Sequence, residues 1–168
     1  MKPVVQEDRT GCGIAAVAAI AGVSYARAKA VAASSGIFAH EVSLWSETGP
    51  VHRLLSRFGL RAARTTRPFR SWADLPDCAL LAIKWHREGR RPCWHWVVCV
   101  RDRGRACVLD SNASLKTHVR VDFGRMHPKW FLPRHLATPQ GCSPEGETPS
   151  QVSAVPPSSV VRLQRDSR

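Results

Sequence analysis

The sequence predicts an α+β fold in which N-terminal helices, one of them a buried central helix, pack on a twisted antiparallel sheet. A run of small apolar residues fills positions 12–21 and ends in glycine, and two further helical patterns follow it within the first 60 residues. Beyond Gly59 the pattern switches to short apolar or alternating segments separated by turn residues. Helices first and a meander of strands afterwards is the order of an α+β domain.

From Cys12, the residues Ile14 to Ala21 are apolar all round. That is the pattern of a short helix buried on every side, with Gly22 as its stop. Ser24 is a good N-cap for a second helix reaching toward Gly36. A third is expected over 48–58: Thr48 as cap, Pro50 in the first turn, Leu54, Leu55 and Phe58 as an apolar stripe, Gly59 as terminator. "LRAART" reads as a short strand, "SWADLP" as a capped helical turn and "CALLAIKW" as a buried strand. A turn containing Gly89 and Pro92 leads into "HWVVCVRD", and the turn "RGR" separates that strand from "ACVLDSN". With "HVRVDF" this makes three or four antiparallel strands. Residues 1–138 are read as one domain. From Pro139 onward Pro, Ser, Gly and Thr dominate, too little apolar surface to fold, so 139–168 is expected to be a disordered tail.

At 168 residues the chain has room for one domain with a real core. It carries 25 Lys and Arg against 13 acidic residues, a net charge of +12. The cations are scattered: Arg53, Arg57, Arg61, Arg64, Arg67 and Arg70 recur every three or four residues, and there is no long basic block. A soluble basic surface explains that distribution, and nucleic-acid binding as the main function is not expected. Lys2 and the apolar run after it imitate a signal peptide, but Glu7, Asp8 and Arg9 intervene and the run is rich in alanine rather than leucine. No membrane span is expected, because the run is about half the length one requires. Of six cysteines, Cys78, Cys99 and Cys107 sit in apolar runs where a reduced thiol behaves as a small hydrophobe. A reducing, cytoplasmic setting follows, with delivery to another cell as the alternative, and Cys142 in the tail is a bystander. His86, Cys93 and His95 form the one crowded Cys/His segment, but without a C-x-x-C pair no metal or other cofactor is expected.

Cys12 asks for a chemical reading because it stands between two glycines at the head of the central helix. The positive end of the helix macrodipole favours a thiolate, the form that attacks carbonyls. Gly11 and Gly13 are expected to leave the sulfur accessible and let a substrate backbone approach. A thiol nucleophile needs a base. His95 opens the strand "HWVVCV", where alternation sets His95, Val97 and Cys99 on one face and Trp96, Val98 and Val100 on the other. His40, His52, His86, His118, His127 and His135 have no comparable context. A hairpin at "RDRGRA" brings Asp110 beside His95 to orient its ring, with Asn112 as a nearby alternative. The Cys12 backbone N–H and the Gln6 amide are available as oxyanion donors. Trp94 and Trp96 are read as core or cleft-wall aromatics, either able to line a groove for apolar substrate side chains.

Gln6, Cys12 at the head of an alanine-rich helix, "HWVVCV" and "VLDSN", in that order, resemble the papain-like cysteine peptidases. The similarity is to the compact bacterial branch that includes the bacteriocin-processing double-glycine leader peptidases, the peptidase C39-like group. It covers about residues 4–132, including Trp130, which such domains often use to close the core. The resemblance implies a papain-like fold with Cys12 as nucleophile, His95 as general base and acid, Asp110 as the orienting carboxylate and Gln6 as oxyanion donor. Gly11 stands where that family usually has an acid, and Asp110-Ser111 where Asp-Pro is common. The transporter regions that accompany many such peptidases are not in the sequence, so export coupled within the chain is not expected.

The expected function is hydrolysis of a peptide or isopeptide bond in a peptide or protein substrate through a thioacyl intermediate. Two alternatives stand beside it: a glutamine deamidase or transglutaminase-like acyl transferase on the same triad, and a non-catalytic peptide-binding module with a basic groove. The oligomeric state is not legible in the sequence.

Overall fold

The computed structural model describes residues 1–135. The expected tail, its boundary at Pro139 and Cys142 lie outside the described residues. The architecture is α+β: four helices followed by an antiparallel sheet. Helix α1 spans Cys12–Ala21 and closes on Gly22, whose positive φ of 69° is the left-handed cap conformation that glycine adopts without strain. Helix α2, Tyr25–Ala33, starts where the Ser24 hydroxyl accepts a hydrogen bond from the Arg27 amide at 3.2 Å. A single turn, α3 (Ser43–Ser46), was not expected. Helix α4, Gly49–Arg57, has Pro50 in its first turn as expected, but Thr48 makes no side-chain cap.

Strands β1 (Arg61–Ala62) and β2 (Arg67–Pro68) are only two residues long. "SWADLP" forms a turn rather than helix, with the Ser71 hydroxyl accepting from the Asp74 amide at 3.3 Å. The long strands are β3 (Cys78–Glu88) and β4 (Arg91–Asp102), followed by β5 (Arg105–Asp110), the short β6 (Val119–Arg120), a 3-10 turn at Phe123–Arg125 and β7 (Trp130–His135). Pro92 lies inside β4 opposite Arg87, so the hairpin turn is shorter than the sequence implied. The β4–β5 turn is Arg103-Gly104, both at positive φ (48° and 79°), the geometry that suits tight hairpins.

The sheet order is β1-β7-β3-β4-β5-β6, with β2 also on β7. The meander β3 to β6 is as read from the sequence. The last strand, however, returns to pair antiparallel with β3 on the far side of β4. Both faces of the sheet are covered. Leu80, Ala82, Trp94, Trp96, Val98, Leu109 and Leu132 face α1 and its neighbouring helices. Ala79, Leu81, Ile83, Val97, Cys99, Val108 and Phe131 face the loops that carry Leu75 and Met126. Burial on both faces explains why β3 reads as a continuous apolar run instead of alternating.

Helix α1 is buried from Cys12 to Ile20, and its small residues let neighbours come close. A methyl group built on Gly13 would lie 3.0 Å from Val51 Cγ2 and 3.1 Å from the Leu44 carbonyl oxygen. One built on Gly11 would lie 1.9 Å from the Tyr25 hydroxyl oxygen. The protein's own packing requires these glycines, a steric role not assigned to them from sequence. Gly11→Ala is expected to destabilise the fold by about 1–3 kcal/mol, the usual cost of overpacking, read as a lower urea midpoint. Part of the loss should vanish in a Tyr25→Phe background, where the clashing oxygen is gone.

No single helix among the described residues is long and apolar enough to cross a membrane. Cys12, Cys78, Cys93, Cys99 and Cys107 are all free thiols.

Candidate active site

Cys12 is the first residue of α1, with the free amides of the helix's first turn around it. Strand β4 passes the head of this helix, where a methyl group built on Gly13 would lie 3.4 Å from Trp96 Cδ1. Between Trp94 and Trp96 stands His95, its side chain 14% exposed. On β5, Asp110 lies opposite Val97, so it is the diagonal neighbour of His95 on the same face. Strand β6 adds Arg120 opposite Val108, the diagonal neighbour of Asp110 in turn. Three adjacent strands therefore place an imidazole, a carboxylate and a guanidinium in one row.

The row is hydrogen-bonded throughout. His95 Nε2 donates to Asp110 Oδ1 at 2.7 Å, and Arg120 Nη1 donates to Asp110 Oδ2 at 2.8 Å. The Asn112 amide adds a bond to Oδ1 at 3.1 Å. A carboxylate with no exposed surface is costly unless its oxygens are satisfied, and here both are. Burial works against the Asp110 charge, but His95, Arg120 and the Asn112 amide outweigh it and hold the carboxyl well below the usual range. For His95, burial opposes the charge, while the Asp110 carboxylate and the nearby Cys12 thiol favour it and raise its pKa to about 9. Because Nε2 is committed to Asp110, Nδ1 is the ring nitrogen left for the thiol. A thiol, a basic imidazole and a buried anion in series are the parts needed to move a proton off sulfur and return it to a leaving group.

The Gln6–Thr10 arm leads into Cys12 and is pinned at several points. The Gln6 backbone N–H donates to the Ser111 carbonyl at 2.9 Å, and Ser111 Oγ donates to Gln6 Oε1 at 3.0 Å. Asp8 accepts from Tyr25 Oη at 2.9 Å and pairs with Lys29, whose ammonium holds the Asp8 carboxyl below its ordinary pKa against the pull of burial. The Thr10 hydroxyl donates to the Ala39 carbonyl. Beside this arm a cleft of about 230 Å³ is walled by Gln6, Arg9, Trp45, Trp94, His95 and Asn112, among others.

The structure brings Cys12, His95, Asp110 and Gln6 together at one end of the sheet and changes several details. Gln6 Nε2 gives its hydrogens to the Asp8 and Arg9 carbonyls at 3.0 and 3.1 Å, so a developing oxyanion would have to compete for them. Cys12 is 1% exposed, so the accessible sulfur expected from the flanking glycines is not found. Trp96 is fully buried, its indole N–H donating to the Leu44 carbonyl at 3.0 Å; it is a core residue and not a groove wall. Trp94 does line the cleft, and with Trp96 and Trp130 it forms an edge-to-face cluster with centroids 4.9 to 5.7 Å apart. Asn112 spends its side chain on Ser114, leaving Asp110 as the group that meets His95.

Sequence reasoning missed Arg120, the second anchor of Asp110. The signal was present: in "HVRVD" it stands at an alternate position on the strand next to Asp110. Trp45 and Arg9 were missed as well; the guanidinium lies 5.7 Å from the indole centroid across the cleft wall, a pairing of distant segments that no local pattern encodes. Comparison with protein-family models and with curated proteins returns no match.

Proposed function

We propose that the chain is a cysteine peptidase of papain-like fold, similar to the peptidase C39-like branch, acting on a peptide or isopeptide bond. The observation that carries this reading is the series Cys12, His95, Asp110: a thiol at the head of a buried helix, beside an imidazole fixed 2.7 Å from a fully buried carboxylate. In the first step the Cys12 sulfur attacks the substrate carbonyl carbon and its proton passes to His95. The oxyanion is met by the Cys12 backbone N–H and by Gln6, drawn from its present carbonyl partners. Collapse breaks the C–N bond, and His95 protonates the departing amine. Water, deprotonated by His95, then attacks the thioacyl carbon and releases the carboxylic acid and the thiol.

A second reading, a peptide-binding module without catalysis, is favoured by the near-complete burial of Cys12. Incubation of wild type and Cys12→Ala with a defined peptide library, read by mass spectrometry, separates the readings. The peptidase account expects cleaved peptides with wild type and none with Cys12→Ala. Conversion of glutamine to glutamate without cleavage would indicate the deamidase instead. No Cys12-dependent product of either kind, from a protein that still binds peptides, would overturn the catalytic reading.

A further inference from the structure

The β3–β4 hairpin carries a second chemical constellation that the proton-transfer series does not use. His86 and Cys93 stand directly opposite each other, Glu88 lies two residues further on β3, and the ligand atoms of all three fall within 4.8 Å of one another. This convergence depends on an irregularity. Register shifts by one residue between Ile83 and His86, and Lys84 adopts a positive φ of 52° there. In the uninterrupted register His86 would oppose Pro92, and Cys93 would oppose Trp85. The inserted residue sets imidazole against thiol, at a backbone cost of about 1–2 kcal/mol for a non-glycine residue in the left-handed region.

The imidazole is also oriented. His86 Nδ1 lies 2.9 Å from the Lys84 carbonyl, an acceptor only, so Nδ1 carries the hydrogen and Nε2 presents its lone pair. A backbone carbonyl holding one ring nitrogen while the other binds is the usual outer support of a metal-binding histidine. Nε2 points toward Glu88, 3.6 Å from its Oε1. Glu88 forms no ion pair with Arg91 across the strands, and among the described residues only a protonated His86 would pair with it.

We propose that His86, Glu88 and Cys93 form a binding site for a divalent transition metal of the zinc class, with water as fourth ligand. One imidazole, one carboxylate and one thiolate suit such an ion, and three protein ligands leave an open position. Binding forms the metal–sulfur bond as the Cys93 proton passes to solvent. The thiolate and carboxylate together balance the ion's two charges, so Arg87, Arg90 and Arg91 in the same hairpin meet a neutral centre. His86 also lines the cleft beside His95, which puts the ion at the lip of the candidate active site.

Cobalt(II) titration of a Cys12→Ala/Cys107→Ala/Cys142→Ala protein tests this without turnover and with those three thiols removed. The expected result is a single saturable site with thiolate-to-cobalt absorption in the near ultraviolet, displaced by zinc. His86→Ala and Glu88→Gln, both at exposed positions, should weaken binding by at least the roughly 10–100-fold lost when an outer support of a metal ligand is removed. Cys93→Ser, where it folds, should abolish the thiolate band. Absence of that band in the folded parent, or unchanged affinity in His86→Ala and Glu88→Gln, overturns the site.

Discussion

His95→Gln is expected to lower turnover by about 10²–10⁴-fold, the range that a positioned acid–base group contributes, while the fold survives. Glutamine retains a donor for Asp110, whose charge Arg120 still balances, so the loss of stability should be smaller than for Asp110→Asn. It cannot accept the thiol proton or return it to an amine. The same substitution should slow alkylation of Cys12, because a neutral amide does not stabilise the thiolate as an imidazolium does. If His95 merely fills the strand end, His95→Gln would lower stability and leave Cys12 chemistry untouched. Steady-state rates, alkylation kinetics and urea unfolding on the same two proteins distinguish these outcomes.

Asp110→Asn should produce the largest loss of stability. The substitution leaves Arg120 with Asp122 alone and deprives His95 of its counter-charge, in a position with no exposed surface. Removing one partner of a buried charge pair costs about 3–5 kcal/mol, and the partial exposure of both cations places the expectation toward the lower end. The pH dependence has a definite sign. The folded-state pKa of Asp110 lies below its unfolded value, so its stabilising contribution is present above the ordinary carboxylate range and is lost as pH falls through the folded value. Wild type should therefore lose its advantage over Asp110→Asn progressively as pH falls below about 5, through the ordinary carboxylate range. Urea midpoints that fall in parallel for the two proteins over that window would contradict the role given to Asp110.

The helices and the meander were legible because their signals are local. The alanine run predicts α1, Gly22 its end, and Arg103-Gly104 the hairpin that aligns β4 with β5. That hairpin made the His95–Asp110 contact readable from alternation alone, although the two are diagonal rather than directly opposite. What escaped was non-local. Nothing in "PKWFLP" says that β7 pairs with β3 rather than with the preceding β6. The glycines around Cys12 were given a chemical reason, whereas Tyr25 and Val51, distant in sequence, supply a steric one. Trp96 could be read as core or cleft wall, and its burial among the residues that face α1, with the indole N–H on the Leu44 carbonyl, makes it core. The register shift that joins His86 to Cys93 has no local signature, since lysine is not a residue that announces a positive φ.

Burial of the thiol makes one measurement decisive. Wild-type protein is alkylated with iodoacetamide under native conditions, and the modified cysteines are mapped by peptide mass spectrometry against time. A nucleophile activated by His95 and reached through the cleft predicts that Cys12, at 1% exposure, is modified faster than the partly exposed Cys107 and faster than free cysteine at neutral pH. Modification of Cys107 first, with Cys12 unreactive until the protein is unfolded, would contradict the account and leave Cys12 as a buried residue at the head of a core helix.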